Sequence, residues 1–251
     1  MAAISSGEME LWLSAIFWPF VRVLALFMTA PVLSQRAIPA RVKIGLALAV
    51  AVVAAPTSPQ PADSIFSAGA PLLLMQQILI GVMMGFAAKV VFAAIDLAGN
   101  VIGLQMGLSF ALFVDPVNAN QTPLVGSFLN ALAILIFLAL DGHLALIAAT
   151  AQSFELAPLS TQFMTGIGWT RMVELGTGMF QLGLHIALPV LATMLVTNMT
   201  LGIMSRAAPQ LNLFSVGFPL TLLTGLLLLV VFLPNLMMAI SAALSRSLAF
   251  L

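Results

Sequence analysis

The chain has 251 residues, of which 62% are hydrophobic, and its mean hydropathy is +1.16. Charged residues make up 6% of it, against about 25% in an ordinary soluble domain, and the formal net charge is zero. A soluble fold needs more polar surface than this, and a nucleic-acid-binding protein needs a basic face. The composition therefore excludes a soluble globular enzyme, a disordered protein and a nucleic-acid-binding protein. It predicts an integral membrane protein, or a subunit that is buried among equally apolar neighbours.

Six main apolar stretches predict an all-α, polytopic membrane-type protein. A helix needs about 20 residues to cross about 30 Å of hydrocarbon, and the first, third, fifth and sixth stretches reach that length. The second stretch is short, and the fourth lies near the lower limit. Sustained alternation of apolar and polar residues is missing from these stretches, so membrane strands are not expected. The stretches are residues 11–33, 42–55, 72–95, 124–140, 175–203 and 216–244.

Two basic residues lie inside apolar stretches, Arg22 in the first and Lys89 in the third. A charge at the centre of a single membrane helix costs about 2.5–3.5 kcal/mol, so each must pair, reach the interface or face water. One interpretation is a coupling site in an ion-driven transporter. The other is structural, with a buried pair at a subunit contact or a helix that is not surrounded by lipid. Ion carriers concentrate acidic residues in their spans, and these spans are nearly free of them, which favours the structural interpretation.

Residues 96–123 are too polar for a bilayer span, and they contain Gly99, Gly103 and Gly107. Glycines four positions apart share one helix face and let a second backbone approach closely. The spacing therefore predicts a packed helix seam.

An aromatic pair follows these glycines. Phe110 and Phe113 are spaced to share a helix face, and Pro116 disfavours helix at Asp115. The helix should therefore end there and open into a polar loop that runs to Pro123. Irregular backbone at membrane depth is tolerated only inside protein or beside water. This loop is a candidate plug or constriction, and an ordinary surface loop is the alternative.

The segment between the fifth and sixth stretches predicts a rigid, basic turn between two long helices. Pro209 should stop the preceding helix, and Arg206 near its end complements the helix dipole. Asn212 can cap the following helix, and Pro219 lies in its early turns. Basic loops favour the cytoplasmic side of a membrane, so we expect this turn there.

Catalytic and metal sites are not predicted, and neither is a cofactor. The two histidines, His143 and His185, lie far apart in the sequence, whereas a zinc site needs clustered ligands. The absence of cysteine excludes disulfides and thiolate metal sites. Ser109 follows Gly107 without a second glycine after it, which makes it a weak candidate nucleophile.

Taken together, these segments resemble the FliR family, the flagellar members of the type III secretion export-gate proteins. The likeness runs from residue 11 to residue 244, and the composite pattern is more specific than any of its parts. The residues that carry it are Gly103, Leu104, Gln105, Met106, Gly107, Leu108, Ser109, Asp115 and Pro116, then Asp141, Gly142 and His143, then Leu188 and Pro189, and finally Arg206, Ala207, Ala208, Pro209, Gln210, Asn212, Phe214, Gly217, Phe218 and Pro219.

The resemblance implies a gate and not an enzyme. It implies assembly with homologues of FliP, FliQ and FlhB into the entry channel for unfolded flagellar subunits, in the bacterial inner membrane at the flagellar basal body. The expected fold is a single export-gate domain over residues 1–251, with an N-terminal helical part over about 1–170 and a C-terminal hairpin over about 171–251. Its helices would form kinked hairpins in a spire-like assembly held largely above the bilayer plane.

The resemblance also implies roles for particular residues. Phe110 and Phe113 would be the occluding side chains of the plug loop, and Met106 would lie near them, where a soft, unbranched side chain can fill a variable gap. The other residues of that loop are Asp115, Pro116 and Pro123. The cytoplasmic hairpin would comprise Arg206, Pro209, Gln210, Asn212, Phe214, Gly217 and Pro219.

A stand-alone secondary transporter or ion channel is the alternative function. Such a protein would be monodisperse when purified by itself, whereas a gate subunit would behave poorly alone and be stabilised by its partners. An intramembrane hydrolase would require Ser109 or His143.

Overall fold

The computed structural model describes residues 6–55, 65–108, 123–156, 167–208 and 216–250. These ranges contain helices and no strand, which confirms the prediction of an all-α protein. The helices are α1 (Ser6–Thr29), α2 (Ala40–Ala54), α3 (Ala70–Gln105), α4 (Leu124–Ala139), α5 (Gly142–Leu156), α6 (Ile167–Ala207) and α7 (Phe218–Phe250).

Prolines mark the beginnings of two helices. Pro39 precedes α2 and Pro123 precedes α4, both with extended backbone. The carbonyl of Pro39 accepts a hydrogen bond from the Val42 N–H at 3.0 Å, and that of Pro123 accepts one from the Ser127 N–H at 2.8 Å. Proline therefore sets the entry to each helix and also supplies the acceptor for its first backbone hydrogen bond.

Four of the described helices are long and apolar enough to cross a membrane. The apolar segments lie over Trp12–Thr29 in α1, the whole of α3, Val173–Ala207 in α6 and Phe218–Ser247 in α7. They coincide with the four stretches that the sequence predicts to be long enough. Helices α4 and α5 are long and apolar enough to cross a membrane only when they are counted together as one span with a bend between them. Counting them so gives five candidate spans among the described residues.

Two elements differ in extent from the apolar stretches. Helix α3 continues to Gln105, ten residues past the end of the third stretch at residue 95. The polar residues Asp96 and Asn100 lie half-buried on this extension, and they lower its hydropathy although it is helical. Helix α5 lies outside all six stretches, yet Thr150 and Ser153 on it are buried. Polar residues that pack against protein lower the hydropathy of a segment without preventing a helix.

The chain folds as two compact units. The first comprises Met1–Val90, Asp141–Leu175 and Ser247–Leu251, and the second comprises Val91–Leu140 and Gly176–Arg246. In the first unit, Trp18, Leu73 and Phe154 form a buried apolar cluster. In the second, the rings of Phe92 and Phe137 pack edge to face with their centroids 5.7 Å apart.

Arg22 lies completely buried in the first unit. Its Nε donates a hydrogen bond to Gln77 Oε1 at 2.8 Å, and its Nη1 donates one to Ser153 Oγ at 2.9 Å. The guanidinium also lies over the ring of Phe154, 3.9 Å from the centroid. Lys89, in contrast, is exposed on α3. Arg22 therefore joins α1, α3 and α5 inside its own chain, in agreement with a structural role for this charge.

Candidate functional site

The carboxyl-terminal half of α3 lies in the second unit, directly before the predicted plug loop. It contacts α4 most closely at Gly99, where an added Cβ would lie 2.7 Å from the Gly126 nitrogen and 3.0 Å from the Val125 carbonyl carbon. At Gly103 the contact is looser, because a Cβ there would be 3.9 Å from the Val125 Cβ. A glycine at position 99 is therefore required for the two backbones to meet.

Two polar residues of α3 surround this contact. Asn100 Nδ2 donates a hydrogen bond to Asp96 Oδ2 at 3.4 Å. Asp96 Oδ1 lies 2.9 Å from where a Cβ of Gly126 would sit, beside the first turn of α4. A carboxylate near a helix N-terminus is favoured by the helix dipole. Asp96 is one of the polar residues that make this segment unlike a membrane span, and it packs beside the first turn of α4.

Gly107 terminates α3. Its φ of 81° is in the left-handed region. The Leu108 N–H donates to the Gly103 carbonyl, and the Gly107 N–H donates to the Leu104 carbonyl, both at 3.1 Å. This pair of hydrogen bonds is the Schellman motif, in which glycine ends a helix. Gly107 therefore lies past the end of the helix that carries Gly99 and Gly103, and the structure does not place it on their helix face.

Side chains from α6 and α7 bind the end of α3. Asn198 Nδ2 lies 3.1 Å from Gln105 Oε1 and 3.5 Å from the Gln105 carbonyl oxygen. The Thr221 hydroxyl lies 3.4 Å from the Met106 carbonyl oxygen and 2.9 Å from the Phe218 carbonyl oxygen of its own helix, so the two carbonyls share its single proton. Carbonyl groups in the last turn of a helix lack N–H donors within the helix, so these contacts satisfy groups that would otherwise need water.

Met106 is completely buried in the second unit. Its side chain fills the space that a side chain at Gly225 of α7 would occupy, since an added Cβ would lie 2.8 Å from Met106 Cε and 2.9 Å from Sδ. We call Gln105, Met106, Asn198, Thr221 and Gly225 the α3-end cluster.

Four members of this cluster are not predicted as site residues, and Gln105 among them is only one of the residues that carry the family resemblance. Asn198 and Thr221 are polar residues within long apolar helices, and Gly225 is a helical glycine. Each is a signal that a neighbouring chain segment approaches closely, but the sequence does not identify that segment.

The predicted site residues fall into two groups. Of those in the described ranges, Pro123 precedes α4, Arg206 is exposed in the last turn of α6, Gly217 is buried just before α7, and Pro219 is exposed in its first turn. The others lie outside the described residues, namely Phe110, Phe113, Asp115, Pro116, Pro209, Gln210, Asn212 and Phe214.

The two histidines are separate in the structure as well. His143 lies half-buried in the first turn of α5, and its Nδ1 has no hydrogen-bond partner among the described residues. His185 is exposed on α6. The part of the chain that the structure describes contains no group of three His, Cys, Asp or Glu that could hold a metal ion. Ser109 lies outside that part.

Comparison with known proteins finds similarity over nearly the whole chain. The family described as bacterial export proteins, family 1, matches residues 13–247. The chain is 46% identical to the flagellar biosynthetic protein FliR of Pectobacterium carotovorum subsp. carotovorum and 42% identical to that of Escherichia coli (strain K12), in both cases over 93% of this chain and 90% of the relative. Identity to FliR of Bacillus subtilis (strain 168) is 32%, over 84% of this chain and 83% of the relative.

Proposed function

Because the chain belongs to the bacterial export proteins, family 1, we propose that it is a gating subunit of the flagellar protein export channel. It is a membrane protein and a component of the flagellar export apparatus. Beyond this, it forms the substrate entry pore together with homologues of FliP, FliQ and FlhB. Unfolded flagellar subunits pass through this pore during flagellum assembly. The assembly lies in the bacterial inner membrane at the basal body.

The apolar surface left uncovered by the chain itself supports a multi-subunit assembly. Only 28% of the apolar segment in α6, and the same share of that in α7, is buried within the chain. Val196 on α6 and Val231 on α7, for example, are 63% and 60% exposed. We infer that lipid covers part of this surface and that helices of partner proteins cover the rest. Such a surface is expected for a subunit of an assembly and not for a carrier that works alone.

The family match runs across both compact units, so we propose that residues 1–251 act as one export-gate domain. Its N-terminal helical part covers about 1–170 and its C-terminal hairpin about 171–251. The subunit acts without catalysis, and partner proteins supply the energy for transport. Residues 206–219 form the cytoplasmic turn of the hairpin.

The plug is assigned to the segment between Met106 and Pro123. Both ends of that segment belong to the second unit, where Met106 is completely buried and Pro123 begins α4. A segment held at both ends can fill a pore in one state and leave it in another. Phe110 and Phe113 are the side chains that occlude the channel.

Co-purification tests the function directly. An affinity-tagged copy of this chain, expressed in its own host in place of the native protein, should restore flagellar export and bring homologues of FliP and FliQ with it from mild detergent. The purified chain by itself should be aggregated, because its apolar surface on α6 and α7 then has no protein cover. A monodisperse single chain that transports a small solute in liposomes would establish the alternative of a stand-alone carrier instead.

Ion leak tests the plug. Replacing both Phe110 and Phe113 by alanine in the assembled gate should raise the membrane's ion conductance about tenfold, because the closed and open states of a gate differ by only a few kcal/mol. The readout is depolarisation of cells that express the complete gate. Phe180→Ala is the matched control, because it removes the same ring at a position outside the proposed plug segment, 62% exposed on α6, and should leave conductance unchanged at wild-type gate level. Wild-type conductance in the double variant, at wild-type gate level, would contradict the assignment.

A further inference from the structure

The carboxyl-terminal half of α3 is held at two positions by contacts between backbones. Gly99 meets the backbone of Gly126 in α4. On the side of α6, a Cβ added at Gly183 would lie 2.8 Å from the Ala94 carbonyl oxygen. Backbones at this distance leave no space for a side chain and cannot slide past each other without separating whole helices. This part of α3 is therefore fixed to its neighbours.

The end of α3 is held by contacts of another kind. The contacts of Asn198 and Thr221 with its last backbone carbonyls are long, 3.5 and 3.4 Å, and the Thr221 hydroxyl also bonds within its own helix at 2.9 Å. The stronger bond, 3.1 Å from Asn198 Nδ2 to Gln105 Oε1, joins two side chains, which can separate by rotating. The Met106 side chain is unbranched and has three rotatable bonds, so it can leave the notch at Gly225 without moving the backbone of α7. The Schellman turn at Gly107 already interrupts the helix here.

We propose that the α3-end cluster is the movable joint of the gate. In the closed state, Asn198, Thr221 and the notch at Gly225 hold residues 105–108 against α6 and α7. Opening releases this end, whereas α3 stays packed on α4 at Gly99 and Gly103. Asn198, Thr221 and Gly225 are thus positioning residues that act on the gate from a distance. This inference rests on the proposed function and adds the place where the gate moves.

A reversible cross-link tests the joint, and the chain suits the method because it contains no native cysteine. Met106→Cys with Gly225→Cys should place two sulfur atoms in bonding range, since the two positions share one space in the fold. Oxidation should then lower export of flagellar subunits into the medium by about tenfold or more, and a reductant should restore it. Met106→Cys with Gly225→Ser is the matched control, because it differs by one atom and cannot cross-link.

A second cross-link one turn upstream defines the boundary of the movement. Gly103→Cys with Val125→Cys joins α3 to α4 across a Cβ–Cβ separation of 3.9 Å, which suits a disulfide. Its oxidation should leave export within about twofold of the reduced state, because this contact stays closed during opening. Non-reducing electrophoresis confirms that each bond has formed.

The outcomes separate the two proposals. Normal export through a confirmed 106–225 cross-link, or a block by both cross-links, would overturn the joint. Failure of cysteines at 106 and 225 to cross-link would contradict the contact itself. If the wild-type chain does not restore export in a strain that lacks its own copy, the proposed function fails before the joint is tested.

Milder substitutions cover the case in which the cysteine variants do not assemble. Asn198→Ala should weaken the hold on α3 and raise ion leak severalfold at normal gate level. Thr221→Val should act in the same direction but less strongly, because the Thr221 hydroxyl also bonds the Phe218 carbonyl of its own helix. Thr200→Val is the matched control, since the Thr200 hydroxyl bonds only within α6 in the described structure, to the Val196 carbonyl. Wild-type leak in both cluster variants would count against the joint.

Discussion

Replacing Gly99 by alanine is expected to remove most of the folded protein from the membrane. The added methyl group would lie 2.7 Å from the Gly126 nitrogen and 3.0 Å from the Val125 carbonyl carbon, both of them backbone atoms of α4. Backbone cannot rotate away as a flexible side chain can, so α3 and α4 must separate along their length. Overpacking of this kind costs about 3 kcal/mol, a large share of the total stability of a domain.

The control for this substitution is Gly202→Ala on α6. An added Cβ at Gly202 meets nothing within 4 Å, so the methyl group fits. Alanine is preferred to glycine within a helix by about 0.5–1 kcal/mol, so this variant should be as stable as the wild type or slightly more stable. Thermal unfolding of the two variants, each purified within the assembled complex in the same detergent, compares them. Equal melting temperatures for Gly99→Ala and Gly202→Ala would show that the contact between α3 and α4 does not have the observed geometry.

Replacing Gln77 by leucine should destabilise the first unit by about 1–3 kcal/mol, because the Arg22 Nε loses its acceptor while the guanidinium remains buried. The structure also predicts a rescue. The double variant Arg22→Met with Gln77→Leu removes both buried polar groups, and methionine can still pack on the ring of Phe154. Ser153 keeps its hydrogen bond to the Thr150 carbonyl at 2.6 Å. The double variant should therefore be more stable than Gln77→Leu alone.

A double-mutant cycle of melting temperatures, taken on the variants within the assembled complex, measures this coupling. Gln152→Leu supplies the control, since Gln152 is exposed on α5 and its replacement should change stability by less than about 0.5 kcal/mol. If the effects of Arg22→Met and Gln77→Leu simply added, Arg22 and Gln77 would not form a unit, and the burial of Arg22 would need another explanation.

The sequence predicts the long helices well because length and hydropathy decide them. The four stretches that reach spanning length coincide with the four described helices that are long and apolar enough to cross a membrane. Their ends are harder to predict. Helix α3 extends past residue 95 to Gln105, since Asp96 lies beside the N-terminus of α4 and Asn100 pairs with it. Hydropathy scores both residues as polar and contains no information about partners that lie far along the chain.

The candidate site was only partly accessible to sequence reasoning. Glycine spacing draws attention to the end of α3, but it does not distinguish Gly99, which meets another backbone, from Gly107, which ends the helix. Asn198 is a single asparagine within a long apolar stretch, and its contact with Gln105 spans 93 positions. Such contacts depend on how helices pack, which a hydropathy pattern does not specify.

The length of α6 has a consequence for its surroundings. Its apolar segment covers 35 residues, or about 53 Å at 1.5 Å per residue, whereas the hydrocarbon layer is about 30 Å thick. Even a steep tilt of about 40° would bring roughly 40 Å of it along the bilayer normal. At least one end must therefore project past the acyl chains, into a region where exposed valine and methionine would be wetted. One continuous helix is thus surrounded by hydrocarbon over part of its length and by water over another part. A polar substitution on α6 should destabilise the protein where hydrocarbon surrounds the residue and be tolerated where water does.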